Sequence, residues 1–143
     1  MIIMAVDFGD ARTGLAVCDK AEMLAVPAGV ITERRFEVCA EKAAAAAKER
    51  GAELIVVGHP LNMNGSAGAR AEKCEEFAAA LEAASGLPVT LWDERSTTVT
   101  AHQYLNDTNT RGKKRKAVVD AVAATIILEG YLAHRRASAE SKS

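Results

Sequence analysis

The order in which short apolar runs and long helical periods follow one another leaves few folds open to this chain. Residues 1–7 form a short apolar run closed by the turn residues Gly9 and Asp10, the pattern of a buried strand with Asp7 at its carboxyl end. Two more β-like segments, 13–18 and 24–31, follow at hairpin spacing across the polar Asp19, Lys20 and Glu22, so three adjacent antiparallel strands are expected. The period then changes. Residues 35–50 carry Phe36, Cys39, Ala40, Ala43 and Ala47 on one helical stripe, with Gly51 at the expected end. A compact strand over 54–58 and a loop over 60–68 rich in Pro, Asn, Gly and Ser come next. A second amphipathic helix bears Cys74, Phe77, Ala78, Leu81 and Ala84 before Gly86, and a strand over 89–92 completes the alternation.

Three strands from a meander and two from right-handed crossovers predict an α/β architecture: a mixed five-stranded sheet with helices on both faces. Past the last strand, Ser96 can cap a short helix through Leu105, and residues 106–112 read as a mobile loop. Residues 117–132 form a strongly apolar final helix, and the tail after Arg136, 137–143, reads as disordered. With 143 residues, no repeat and no linker, one domain over 1–136 is expected.

A formal net charge of −1 argues against a protein that holds nucleic acid over its whole surface. Any such contact is expected at Arg111, Lys113, Lys114, Arg115 and Lys116, a run whose plainer reading is a solvated loop. The N-terminus lacks the basic region and apolar run of a secretory leader, and no apolar stretch approaches the ~20 residues that a bilayer requires, so a cytoplasmic location without membrane contact is expected. Cys18, Cys39 and Cys74 lack metal-site or disulfide spacing and are expected as buried, inert thiols. Phe77, Trp92 and Tyr131 are more simply core residues than base-stacking platforms.

The acids fall where a sheet of this kind gathers ligands. Asp7 and the pair Asp93, Glu94 lie at strand ends, at the carboxyl edge where open α/β sheets bind. Asp120 lies in the final helix, flanking its apolar stripe near Ala124 and Ile127. A carboxylate beside a core face is costly unless paired, protonated or metal-bound. Three converging acids would suit Mg²⁺, a hard ion that takes carboxylate oxygen, and phosphoryl chemistry often uses two such ions. Each acid also has a plainer reading: a turn aspartate at 7, a helix start at 93 or 94, and an ion pair of Asp120 with Lys116. The glycine-flanked turn from Asp7 to Gly14 would let backbone approach a phosphate, with Arg12 as its contact, or it is an ordinary hairpin turn. His59 at a strand end reads as a loop hydrogen-bonding group more readily than as a proton donor, and His102 and His134 read as surface residues.

Four groups of residues together resemble the YqgF/RuvX family of RNase H-like nucleases. They are Asp7, Phe8, Gly9, Arg12, Thr13 and Gly14; Val57, Gly58, Pro60, Leu61, Asn62 and Gly65; Asp93, Glu94, Arg95, Thr97 and Thr98; and Lys116 with 120–124. No one group is diagnostic, but four in register along nearly the whole chain are specific. The resemblance implies an RNase H-like fold and a metal-dependent phosphodiester hydrolase that matures the 5′ end of pre-16S ribosomal RNA. It implies Asp7, Glu94 and Asp120 as acids holding Mg²⁺ or Mn²⁺, two ions being expected, with Asp93 the alternative to Glu94. Arg12 and Arg95 would face substrate, and Lys113, Lys114, Arg115 and Lys116 would assist. His59 stands where the family carries leucine, and Ser96 where it carries a larger apolar residue. The partners implied are precursor ribosomal RNA, or branched DNA if the protein is a resolvase, with ribosome-assembly factors possible and a monomer or homodimer equally open. A non-catalytic RNA-binding module and a nucleotide-binding ATPase relative are the competing classes; the latter normally closes two such domains around ATP.

Overall fold

Ile3, Met4, Ala5 and Val6 are each fully buried, so the first strand has to be covered on both faces. The computed structural model describes residues 1–94 and 112–141, with the side chains of 112–120 and 139–141 outside that description. Its elements are β1 (Ile3–Asp7), β2 (Arg12–Cys18), β3 (Ala25–Thr32), α1 (Phe36–Glu49), β4 (Leu54–His59), α2 (Ala69–Ser85), β5 (Val89–Asp93) and α3 (Gly112–Ser141). The five strands form one sheet in the order β3-β2-β1-β4-β5. The meander β1-β2-β3 is antiparallel, while β4 and β5 join parallel to β1, which is the mixed sheet the sequence predicts.

Alternate residues of β1 serve opposite layers. Met4, Val6 and the following Phe8 face α1 and α2, where Cys39, Ala40, Ala43 and Ala47 of one helix and Cys74, Phe77 and Leu81 of the other close the core. Alanines on α1 allow close packing, and three rings fill the remaining space. Phe8 stacks on Phe77 with centroids 4.3 Å apart, and Phe36 meets both edge-on at 5.9 Å. Ile3 and Ala5 face the other layer, where α3 sets Ala124, Ile127, Leu128 and Leu132 against Ala16 and Val56. Trp92 and Tyr131 pack edge-on at the margin of this layer. The three cysteines are buried without disulfides, and burial pushes the Cys74 thiol to about 11. Among the described residues, no helix is long and apolar enough to cross a membrane.

Two boundaries differ from expectation. The last helix begins at Gly112, so Lys113, Lys114, Arg115 and Lys116 are helical, and it runs through Ser141, past the disordered tail expected from residue 137. Lysine and arginine are good helix formers and nothing between 113 and 117 breaks the helix. At the other end a helix already nucleated extends readily through Ala137, Ala139 and Glu140. The short helix expected after Ser96, and residues 106–111 of the expected loop, lie outside the described residues.

Far from the carboxyl edge, α3 is latched to the β2-β3 turn. Glu22 sits at φ 57°, a left-handed conformation unusual for its type. Arg135 donates to both its carboxylate oxygens, at 2.7 and 3.3 Å, and Arg136 donates to its carbonyl at 3.2 Å. The Arg135 guanidinium holds the Glu22 carboxyl below the ordinary carboxylate range. A depressed carboxyl contributes stability that is fully present above its unfolded value, ~4.3, and is lost as pH falls through the folded one. Glu22→Gln is therefore expected to lower unfolding stability by about 1 kcal/mol at pH 7. In urea melts the difference from wild type should shrink as the pH is lowered below the unfolded carboxylate value, and a deficit that does not change with pH would count against the latch.

Candidate active site

The carboxyl ends of β1, β4 and β5 lie side by side, and their registers fix which side chains share a face. Val6 is level with Val57, so Asp7 ends β1 beside Gly58, which in turn pairs with Trp92. By the pleat, Asp7 follows Ile3 and Ala5 toward α3. Asp93 pairs with His59 and falls on the opposite face, that of Val89 and the α1-α2 layer. Glu94, one residue on, returns to the face of Asp7.

Gly58 makes room for that return. A Cβ built on it would lie 2.9 Å from the Glu94 Cδ and Oε1 atoms and 2.7 Å from Ile127 Cδ1 of α3. The Glu94 carboxylate therefore rests directly over the Gly58 backbone, next to the final helix. Burial raises its pKa, with Arg70 and His59 only partly opposing through their charge. The negative charges of Glu94, Asp7 and Asp10 also act on the Cys74 thiol in the α1-α2 layer.

The β1-β2 turn is pinned on both sides. A Cβ on Gly9 would run into the Arg12 carbonyl, so only glycine closes the turn this tightly. The Gly9 amide donates to the buried Thr13 hydroxyl at 3.3 Å. From α2, Arg70 donates to the Phe8 carbonyl at 2.6 Å, while Lys73 and Arg70 hold Asp10 at 3.2 and 3.7 Å. Arg12 opens β2 two residues before Gly14, the partner of Asp7, and so lies on the same face as that acid.

The remaining sequence candidates divide clearly. His59 is taken up by Glu75, Nε2 to Oε2 at 2.8 Å, in keeping with the hydrogen-bonding reading. Asp120 is on α3 one turn before the fully buried Ala124, and its side chain, like those of Lys113, Lys114, Arg115 and Lys116, is outside the description. Arg95, Arg111 and His102 lie outside the described residues altogether. Arg70 was not singled out from sequence. Its signal was its place at the start of the helix that follows β4, which must begin at the carboxyl edge.

Two carboxylates on one face, one of them partly desolvated, form a donor set that fits a hard divalent cation, which would relieve the cost of holding Glu94 ionised. Among the described residues no three His, Cys, Asp or Glu side chains converge as metal ligands, and the third acid, Asp120, is not in that group.

Residues 1–134 match the profile of the RuvX family, described as Holliday junction resolvase. A relative from Desulfitobacterium hafniense, described as a candidate pre-16S rRNA nuclease, is 44% identical over 95% of this chain and 94% of its own length. One from Halothermothrix orenii with the same description is 44% identical over 92% and 94%. Among solved structures, Thermus thermophilus RuvC superposes with a TM-score of 0.57 at 17% identity, covering 96% of this chain and 97% of its own. Fowlpox virus resolvase, in complex with Holliday junction DNA, gives 0.55 at 11% identity, covering 94% and 98%. At these identities the structural likeness speaks for the fold, that of the RuvC-like resolvases.

Gly58→Ala forces the Glu94 carboxylate or Ile127 to move. It is expected to cost about 1–3 kcal/mol in urea unfolding. A variant as stable as wild type would show that the carboxylate does not rest on this backbone.

Proposed function

The chain belongs to the RuvX family, and on that premise we propose that it is a metal-dependent endonuclease acting in the cytoplasm on the 5′ end of the 16S ribosomal RNA precursor. The observation that carries this reading is the pair Asp7 and Glu94 on one face of the sheet, at its carboxyl edge beside the helix that bears Asp120. Residues 1–136 would be the nuclease domain. Asp7, Glu94 and Asp120 would hold Mg²⁺ or Mn²⁺, two ions in the fullest form. When bound, the metal would supply an activated water and neutralise charge on the leaving oxygen.

The protein's own groups do the rest. Asp7 is fixed by strand pairing and by the pinned turn after it, so its carboxylate needs little reordering on binding. Glu94, desolvated over Gly58, gains by meeting a cation. Arg12 and Arg95 would orient the phosphodiester, and Lys113, Lys114, Arg115 and Lys116 on the first turns of α3 would draw in the nucleic-acid backbone. Asp93, on the other face, would take no part in the chemistry; its pairing with His59 supports that reading.

A second reading, a resolvase of branched DNA, is favoured by the description of the family profile. Cutting a four-way junction needs two sites facing opposed strands, so it requires a homodimer.

Cleavage of a labelled precursor leader with Mg²⁺ or Mn²⁺ separates these roles. Asp7→Asn and Glu94→Gln are expected to slow cleavage by ~10²-fold or more while circular dichroism stays native. Asp93→Asn should stay within about tenfold of wild type. Undiminished cleavage by Asp7→Asn would refute the carboxylate mechanism. Junction cutting by a solution dimer, without RNA cleavage, would favour the resolvase.

A further inference from the structure

Beside the acids, on the side of β2 and β3, a groove is lined by Ala11, Arg12, Thr32, Glu33, Arg34 and Arg35. We propose that this groove is a phosphate subsite that takes the RNA backbone on the β3 side of the scissile bond; the inference rests on the nuclease reading above.

Charge is the first support. Among the described residues Glu33 is the one carboxylate lining the groove, and it is already engaged: Arg35 donates to both its oxygens, at 3.0 and 3.1 Å, and Lys42 donates at 3.0 Å. Among the described residues the lining therefore sets three guanidinium groups, of Arg12, Arg34 and Arg35, against one carboxylate, in a chain whose formal net charge is −1. Such a local excess repels itself and is relieved by a bound polyanion.

Position is the second support. Arg12 lies two residues along β2 from the partner of Asp7 and on the same face, and its own partner across the sheet is Thr32. By strand geometry the groove opens roughly 10 Å from Asp7, so a backbone leaving the acids reaches it within a few nucleotides. Arg34 is exposed, so its guanidinium fork can meet phosphate oxygens without disturbing the core. The subsite is one-sided: it lies across β2 and β3, away from β5, and favours substrates that extend past the cut in that direction.

The test is fluorescence anisotropy of a labelled single-stranded precursor leader over a KCl series, with divalent metal withheld, alongside steady-state cleavage with Mn²⁺. Arg34→Gln is expected to weaken binding about threefold to tenfold and to reduce the salt slope by about 0.7–1. Its KM should rise with little change in kcat. Arg34→Lys, which keeps the charge, should retain the slope, and Glu33→Gln, which releases Arg35 and Lys42, should bind more tightly than wild type. If wild type binds and cuts while Arg34→Gln matches it in affinity and slope, the groove is overturned and the nuclease stands. If wild type neither binds in a salt-dependent way nor cuts, the nuclease reading falls and this inference with it.

Discussion

A strand that is apolar on both faces has to be covered twice, and most of this molecule answers that requirement. Because β1 takes the middle of the sheet, α1 and α2 must close one side and α3 the other. What cannot be covered is the strand's end. Layers of helix seal the faces of a sheet but leave its carboxyl edge open, and there the chain has to turn, bind or react. The acids, the pinned turn and the arginines all lie along that edge.

Much of this was legible in the sequence because it depends on period. A stripe of Cys39, Ala40, Ala43 and Ala47, or a run ending at Asp7, reports local geometry that tertiary contacts did not override. The choice between Asp93 and Glu94 was not legible, since it turns on where β5 ends and on which neighbour lacks a side chain. Gly58, thirty-odd positions upstream, leaves the Glu94 carboxylate room to sit on the face of Asp7. Arg70 was hidden for a related reason. Its bond to the Phe8 carbonyl joins residues 62 positions apart, and no local pattern records such a contact. The start of α3 was misjudged because a basic run suits an exposed helix as well as it suits a loop.

The site's electrostatics follow from the same layering. Glu94 is uncomfortable as an anion because the sheet and α3 exclude water from it, and Arg70 and His59 offset that only in part. Lys73 and Arg70, meanwhile, are drawn to Asp10 on the outer side of the turn. Cations and acids thus stand close together along one edge, with Arg70 and Lys73 engaged by Asp10 on its outer side.

Phe8 follows Asp7 directly, and its ring is locked between Phe36 and Phe77 on the opposite side of the sheet from the acid. A one-residue slip of β1 during folding would exchange the two, driving a carboxylate into an aromatic cage and pushing a phenyl ring under α3. Both misplacements are costly, so the register that closes the aromatic cluster is also the one that keeps Asp7 on the opposite face. Core packing and the orientation of the acid are thus set by a single choice of register.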